Sequence, residues 1–525
     1  MKTLIIRPAL ALALAAVGVQ SARAQSPYVE EALNYSRLQF GGPARTQGIG
    51  GANVALGADF GNLSSNPAGL GLFQKSELHF SPGIGLASAD ASGTGTSKTG
   101  DKNSFHVGSL GLVLATRRAD GDTESNWRGG SFALGFTRTA DFNTAFSYAG
   151  QISDNRSFFQ RLREPGGYGN VNSAGYQNAA NKLVAQDHNG AGPYTNLDGL
   201  AYGTFLTDTT YSRRQGLATV IARLRNGPIR QGETVTTSGS VSQFDLGYGG
   251  SYRDRLYIGG AIGIVSSNRK QVRSFTEAED DPQTRFASLR LQDEVKTSGG
   301  GLNARVGLIY RVADAVRLGA SIQTPTFFHF TETSSTSLTS VFTPFPQDNP
   351  ANRGTTASLA PGEYTYNLTT PFRASGGVVV TLGKYGFLTG DAEYVGYQQA
   401  RLSSADPNTN DDEESIAADN QTIRQAYKST VNLRVGAEGR FDIFRVRAGY
   451  ATYGDPYKTS STSRAQQFYT AGAGIRQHGF FVDAAAVYTT FSQQYSPYSL
   501  VGGQQPVINV ANNRYTTTIT AGLIF

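Results

Sequence analysis

The stretch "VNLRVGAEGRF" alternates strictly. Val431, Leu433, Val435, Ala437 and Phe441 fall on one face, and Asn432, Arg434, Glu438 and Arg440 on the other. A two-residue period is the signature of a strand with one apolar side. "IFRVRAGY" repeats it, with Phe444, Val446, Ala448 and Tyr450 against Arg445 and Arg447. So does "GLNARVGLIY", with Leu302, Ala304, Val306, Leu308 and Tyr310 against Asn303 and Arg305. "FLTGDAEYVGY" sets Leu388, Ala392 and Tyr394 against Asp391 and Glu393. About fourteen such segments follow one another, starting near Glu77, Ser104, Gly129, Thr234, Arg253, Gly299, Ala315, Asn367, Tyr385, Ser429, Phe444, Ala465, His478 and Asn512.

Alternation alone fits a soluble sandwich or a membrane barrel, and connection lengths separate the two. Even-numbered gaps are mostly tight ("GGSYRD", "VADA", "LGKYG", "RFDI", "QHG"), with "RADGDTESNW" the longest of them. Odd-numbered gaps are long, the largest covering roughly 141–233. Long and short loops sorted to opposite ends predict a transmembrane antiparallel β-barrel of about 14 strands, all-β in class. A ten-residue strand tilted by about 40° rises roughly 25 Å, the height of a barrel's apolar band.

Register follows from this assignment. A one-residue slip of Ser429–Phe441 would turn Arg434 and Glu438 to lipid, and an Arg at the midplane costs ~2–4 kcal/mol. The expected lumen therefore carries Arg305, Arg317, Asp391, Glu393, Arg434, Glu438, Arg445 and Arg447, mostly paired with one another. A turn at Phe441-Asp442 brings Glu438 opposite Arg445 as an ion pair.

Both ends of the chain sharpen the picture. "MKTLIIRPALALALAAVGVQSARAQ" has a basic start, an apolar run from Leu10 to Val19, and Ala22-Arg23-Ala24, so residues 1–24 read as a secretory signal peptide. The last strand, "RYTTTITAGLIF", ends on the aromatic Phe525, the expected sorting signal for the barrel assembly machinery of the outer membrane. The predicted location is thus the bacterial outer membrane, among its lipid and lipopolysaccharide.

Composition then removes alternatives. The chain has 63 Gly, 26 Tyr and 29 Phe but no Cys, which excludes disulfides, Cys-based zinc sites and a lipidated N-terminal cysteine. Removing Lys2, Arg7 and Arg23 with the signal takes the formal charge from +6 to +3, with no basic block, so nucleic acid is not a partner. No G-x-S-x-G, H-E-x-x-H or Walker pattern occurs, and the five histidines are scattered singly. Neither an enzyme nor a cofactor is indicated.

Residues 25–75 do not fit the strand period. "GADFGNLSSNPAGLG" (Gly57–Gly71) is too broken by Gly and Pro for a regular helix or a central strand. A fourteen-stranded barrel is too wide for its own side chains to fill, and non-helical backbone at membrane depth needs protein or water around it. The segment is therefore expected to plug the lumen, before a barrel formed by residues 76–525. "SRLQFGGPARTQGIGGANVALGADFGNLSSNPAGLGLFQKSEL" resembles the amino-terminal hatch of the FadL-type outer-membrane transporters, above all in Asn66-Pro67-Ala68-Gly69. "ALGFTRTADFN", "QTPTFFHF", "TPFRASGGVVVTLGKYGFLTGDAEYVGY" and "VNLRVGAEGR" extend the resemblance.

That resemblance implies a monomeric fourteen-stranded barrel and passive uptake of hydrophobic small molecules such as long-chain fatty acids or aromatic hydrocarbons. Ligand would be caught by outer loops and leave past the hatch through a lateral opening. It places Asn66, Pro67 and Ala68 at the hatch turn, with Asn66 hydrogen-bonding it and Pro67 stiffening it. Arg45 and Asp59 in the same segment are candidates for pairing with wall charges. In the long loop, Phe146, Tyr148, Phe158, Phe159 and Leu162 are candidates either for ligand capture or for the loop's own core. An unplugged diffusion porin, or an adhesin or enzyme using the long loops, remains the alternative.

Overall fold

The computed structural model describes residues 27–93, 95–119, 124–184, 194–213, 215–222, 228–279, 285–342, 355–405, 413–459, 462–501 and 505–525. The signal-peptide reading of residues 1–24 lies outside them. Fourteen wall strands follow in chain order: β1 (Glu77–Ser92), β2 (Lys98–Arg117), β3 (Trp127–Asp141, resuming as Thr144–Ile152), β4 (Ile229–Tyr252) and β5 (Leu256–Ala278). Next come β6 (Phe286–Ala313), β7 (Val316–Gln323 and Phe327–Phe342), β8 (Gly362–Thr369 and Arg373–Thr381) and β9 (Gly386–Gly396, then Arg401–Ser404). The wall ends with β10 (Ser429–Phe441), β11 (Phe444–Tyr453), β12 (Gln466–Gln477), β13 (Phe480–Tyr495) and β14 (Ile508–Ile524). Each pairs antiparallel with the next, and β14 pairs with β1 from Glu77↔Ile524 to Ser92↔Asn509, which closes the barrel.

The alternation in the sequence becomes inside and outside. On β6 Val306 is 61% exposed and its neighbour Arg305 only 3%. Outward Leu302, Val306 and Leu308 form the band that meets hydrocarbon, as do Val431, Leu433 and Val435 on β10. Aromatic residues flank it, as interfacial girdles do. Trp127, Tyr310, Tyr385, Phe441, Phe444, Phe480 and Phe525 face outward near the short turns. Toward the other end Tyr450, Tyr469, Tyr488 and Tyr515 stand side by side across β11–β14, each ring within 6.2 Å of the next. Among the described residues no helix is long and apolar enough to span a bilayer; the strands do so.

Two details depart from expectation. The β10–β11 turn centres on Asp442-Ile443, with Asp442 in the left-handed region (φ 52°). This sets Glu438 opposite Arg447, and the ion pair is Glu438–Arg447 at 2.8 Å, while Arg445 bonds the turn carbonyls of Asp442 and Phe444. Second, several strands run on past the bilayer band. β5 and β6 continue with Lys270 and Glu294 paired on their outer face, and β3 resumes as Thr144–Ile152 along β4. The long loop is therefore 153–228, and Phe146 and Tyr148 are inward strand residues rather than loop residues. The first odd gap shrinks to residues 93–97 for the same reason.

Prolines mark two breaks in the wall. Pro325 and Pro371 interrupt β7 and β8 where neither can donate to a ladder. The breaks tie to each other instead, Thr370 N donating to Thr326 O (3.0 Å) and Thr326 N to Thr370 Oγ1 (2.9 Å).

From Pro27 to β1 the chain lies inside the barrel. It forms α1 (Pro27–Ser36), α2 (Ala44–Gly48), α3 (Asn62–Ser65) and a 3-10 turn (Pro67–Leu72). The glycine-rich stretch is thus a chain of short helical turns. They plug the lumen.

Candidate ligand path

The base of the plug is held by polar bonds to β6, β7, β9, β12 and β14. Ala44 N donates to Thr520 Oγ1 (2.7 Å), and Thr470 Oγ1 donates to Gly48 O (3.1 Å). Thr389 Oγ1 donates to Ala52 O, Arg317 to Leu56 O, Arg305 to Leu63 O and Ser321 to Ser65 O, all within 3.1 Å. Val54 N donates to the Asp391 carboxylate at 3.0 Å. The inward polar faces thus answer the free amides and carbonyls of an irregular backbone.

Asn66 is the knot of this arrangement. Fully buried, it donates from Nδ2 to Val54 O (2.7 Å) and Leu308 O (3.2 Å), and its Oδ1 accepts from Ala68 N (3.2 Å). One amide therefore joins the plug to itself and to β6 and caps the 3-10 turn that Pro67 begins. The wall makes room by omitting a side chain. A Cβ on Gly307 would lie 1.9 Å from Asn66 Oδ1, and one on Gly319 would lie 2.4 Å from Val54 O.

Arg45 connects plug and wall, pairing with Asp59 (3.3 Å) and with Glu438 on β10 (3.3 Å). Asp59 itself works inside the plug, accepting from Thr46 Oγ1 (2.6 Å) and Gly61 N (2.8 Å). Buried ion pairs complete the frame: Arg305–Asp245 (2.9 Å), Arg447–Asp483 (2.6 Å), and Glu393 between Arg373 (3.3 Å) and Arg434 (2.8 Å).

Two small cavities lie next to the plug. One, of about 80 Å³, is bounded by Leu38–Gly41, Asn53, Ser64, Ser65, Arg305, Arg373, Glu393 and Arg434. The other, of about 60 Å³, is bounded by His106 and Gly108 on β2, Arg138–Asp141 on β3, and Arg514 and Thr516 on β14. The segment Gln39-Phe40-Gly41 borders both, with Gln39 N donating to Thr139 O at 2.8 Å.

The second cavity sits where the wall ladder is incomplete. β2 pairs with β3 only from Ser109↔Thr137 to Arg117↔Gly129. Beyond this, Lys98–Val107 pair with β1 alone, and β3 breaks at Phe142-Asn143, where Asp141 accepts from Asn143 N (2.7 Å). The β2–β3 ladder is thus incomplete next to this cavity.

Above the plug base the lumen is aromatic. α1 buries Val29, Ala32, Leu33 and Tyr35 against Val241, Val265, Phe328, Phe330, Leu368 and Tyr397. Tyr35 stacks on Phe330 with ring centroids 4.4 Å apart.

The residues singled out from sequence divide accordingly. Asn66, Pro67, Ala68, Arg45 and Asp59 meet in the plug base, and none of them lines either cavity. Phe158, Phe159 and Leu162 form α4 (Phe158–Leu162), where they pack into a buried cluster with Leu200, Phe275, Phe286 and Leu338 above the lumen. Phe146 packs on Tyr495, and the Tyr148 hydroxyl donates to Glu233 at 2.9 Å. Capture by these residues would require that packing to open. Phe525 faces outward in the girdle, and its backbone exchanges two 3.0 Å bonds with Ser76.

Sequence reading missed Asp245 and Asp483, although "QFDLGYG" and "FFVDAAAV" set each in an alternating apolar frame. The break in β3 had a weaker signal: Asp141-Phe142-Asn143 is an Asx-turn sequence inside a strand.

These features define a plugged transmembrane β-barrel with an incomplete β2–β3 ladder. No family model and no curated protein matches the chain. Solved structures do. The Pseudomonas putida toluene transporter TodX is 11% identical, with 93% of this chain and 99% of that one covered at a TM-score of 0.50. A Pseudomonas aeruginosa FadL homologue is 12% identical, with 92% and 98% covered at a TM-score of 0.51. The chain has the FadL-type barrel fold.

Proposed function

We propose that the protein is an outer-membrane channel for passive uptake of hydrophobic small molecules, which enter the upper lumen and leave sideways through the window between β2 and β3. The observation that carries this reading is the pairing of a sealed axis with an incomplete wall. The plug base is bonded to β7, β9, β12 and β14, whereas the ladder is missing beside the cavity at His106, Arg138 and Asp141. A solute that prefers lipid to water gains by leaving into the bilayer rather than into the periplasm. The description of TodX as a toluene transporter supports a hydrophobic solute. Lumen charges that are paired with one another and an axis filled by the hatch argue against an open diffusion porin.

Native mass spectrometry on protein extracted gently from outer membrane tests the reading. Wild type is expected to carry an apolar small molecule, and Asn66→Ala to carry less of it. A protein that is empty in both forms, yet conducts ions steadily, would overturn the proposal.

A further inference from the structure

At the short-turn end of the barrel, which opens to the periplasm, guanidinium groups are set against one another. Arg311 on β6 lies directly opposite Arg317 on β7, and Arg440 on β10 directly opposite Arg445 on β11. Each alternates with outward apolar neighbours (Tyr310 and Val312, Leu318, Phe441, Phe444 and Val446), so all four face the lumen, half-buried, below the plug. Like charges directly opposite each other destabilise a sheet, yet two such pairs stand at one mouth. Carboxylates do little to offset them. Glu438 is shared by Arg440 (2.9 Å), Arg447 (2.8 Å) and Arg45 of the plug (3.3 Å). Arg317 donates to Leu56 O (2.7 Å), and Arg445 bonds the carbonyls of its own turn. The Arg311 side chain has no hydrogen bond or ion pair among the described residues, although its Nε is buried. Asp314 and Asp442 lie in the exposed turns, and among the described residues neither carboxylate pairs with these four groups.

We propose that this mouth is a docking site for an acidic peptide segment of a periplasmic protein, whose carboxylates seat between Arg311 and Arg317 and between Arg440 and Arg445. A carboxylate placed between two guanidiniums turns their repulsion into charge-assisted hydrogen bonds. A small anion serves one pair only. β8 and β9 separate the two pairs, so they stand three strand spacings, roughly 14 Å, apart along the wall. Across that gap Arg440 still repels Arg317, so the pairs act on one space. An extended peptide rises about 3.3 Å per residue, and acidic residues four apart span about 13 Å. The plug closes the space from above, and the wall stands between these inward groups and the lipid headgroups outside. A chain entering from the periplasm meets neither obstacle. The site is independent of which solute the channel carries and of how that solute leaves.

Calorimetric titration of the full chain in phosphatidylcholine nanodiscs tests this, with octaglutamate, octaglutamine and inorganic phosphate as the probes. Octaglutamate is expected to bind once per barrel and to weaken as salt is added, while octaglutamine does not bind. Arg311→Gln and Arg445→Gln should each weaken octaglutamate by about tenfold. Arg311→Lys, which keeps the charge, should retain most of the affinity. Lys270→Gln, on the outer face at the opposite end, should leave it unchanged. Arg311→Gln removes repulsion and no bond, so it is also expected to unfold at no lower urea concentration than wild type. The proposal is overturned if octaglutamate does not bind, or binds no more tightly than phosphate. It is equally overturned if Lys270→Gln weakens binding as much as Arg311→Gln does. Loss of binding when phosphatidylglycerol is added to the disc would make lipid the occupant and overturn it too. A marked loss of stability in Arg311→Gln would show a guanidinium already partnered within the barrel, and contradict an open site.

Discussion

The lower and upper parts of the plug are held by opposite physics. Between Gln39 and Phe73 the hatch is irregular backbone, and its security comes from directional bonds to the wall and from wall glycines that admit it closely. α1 is a regular helix that satisfies most of its own backbone and is held by aromatic side chains and one buried carboxylate. Directional bonds in a dry lumen fail together, because each broken partner leaves a buried polar group unmet. Apolar packing has no such directional requirement, so its contacts can be lost one at a time. The base is held chiefly by directional bonds, and α1 chiefly by packing.

Substitutions that break this contrast can be ordered by size. Glu393→Ala should be the most damaging, leaving Arg373 and Arg434 buried without their carboxylate. We expect a loss of ~3–5 kcal/mol in urea unfolding of the folded barrel followed by gel mobility. Gly307→Val comes next. Its added carbon overlaps Asn66 Oδ1, and ~1–3 kcal/mol is expected by the same assay, with faster proteolysis inside the hatch. Asn66→Ala removes two donated bonds and one accepted bond at a buried site, for about 2 kcal/mol, and should raise amide exchange at Ala68 first. Leu33→Ser on α1 should leave barrel unfolding within about 0.5 kcal/mol of wild type while amide exchange along α1 speeds up. A barrel destabilised as much by Leu33→Ser as by Asn66→Ala would erase the distinction between the two regions.

The smallest expected effect is pH dependence of α1 docking. With α1 in place Glu332 titrates near 7 instead of its ordinary 4.5, through burial and the Glu31 carboxylate, and Arg269, Tyr28 and Tyr366 face the same group. The docked state therefore holds a proton that the undocked state gives up earlier. Docking is strongest below about 4.5 and weakens as pH rises through about 7, by at most tenfold per unit. The spectral width of a spin label at Pro27→Cys checks the sign.

How much of this was legible in the chain depends on range. A period of two places Arg305 inside and Val306 outside without any knowledge of partners, because lipid and lumen act on every strand alike. The plug was legible as well, since a glycine-broken segment before a wide barrel has few other places to satisfy its backbone. Partnerships between distant elements were not. Nothing local tells Glu31 that Tyr366 will bond it, and the Asp391–Val54 contact joins residues 337 positions apart. Strand ends were misplaced for a related reason. Beyond the bilayer both faces of Phe286–Ser298 are wet or loop-covered, so the alternation that marks the membrane band fades while the ladder continues. The turn at Asp442-Ile443 shows the cost of a one-residue error, since it exchanges Arg445 for Arg447 as the partner of Glu438.

Filling the gap in the β2–β3 ladder tests the proposed lateral route most directly. Gly108 borders the cavity there, and a Cβ on it would stand 3.3 Å from Ser81 O, so Gly108→Phe is compared only as folded protein, with its ring added at the cavity. The measurement is entry of N-phenyl-1-naphthylamine, an apolar dye that fluoresces in membranes, into cells bearing equal amounts of folded wild type or variant in the outer membrane. We expect wild type to admit the dye and Gly108→Phe to reduce entry to the level of cells without the protein. Equal rates through both proteins would contradict a sideways exit.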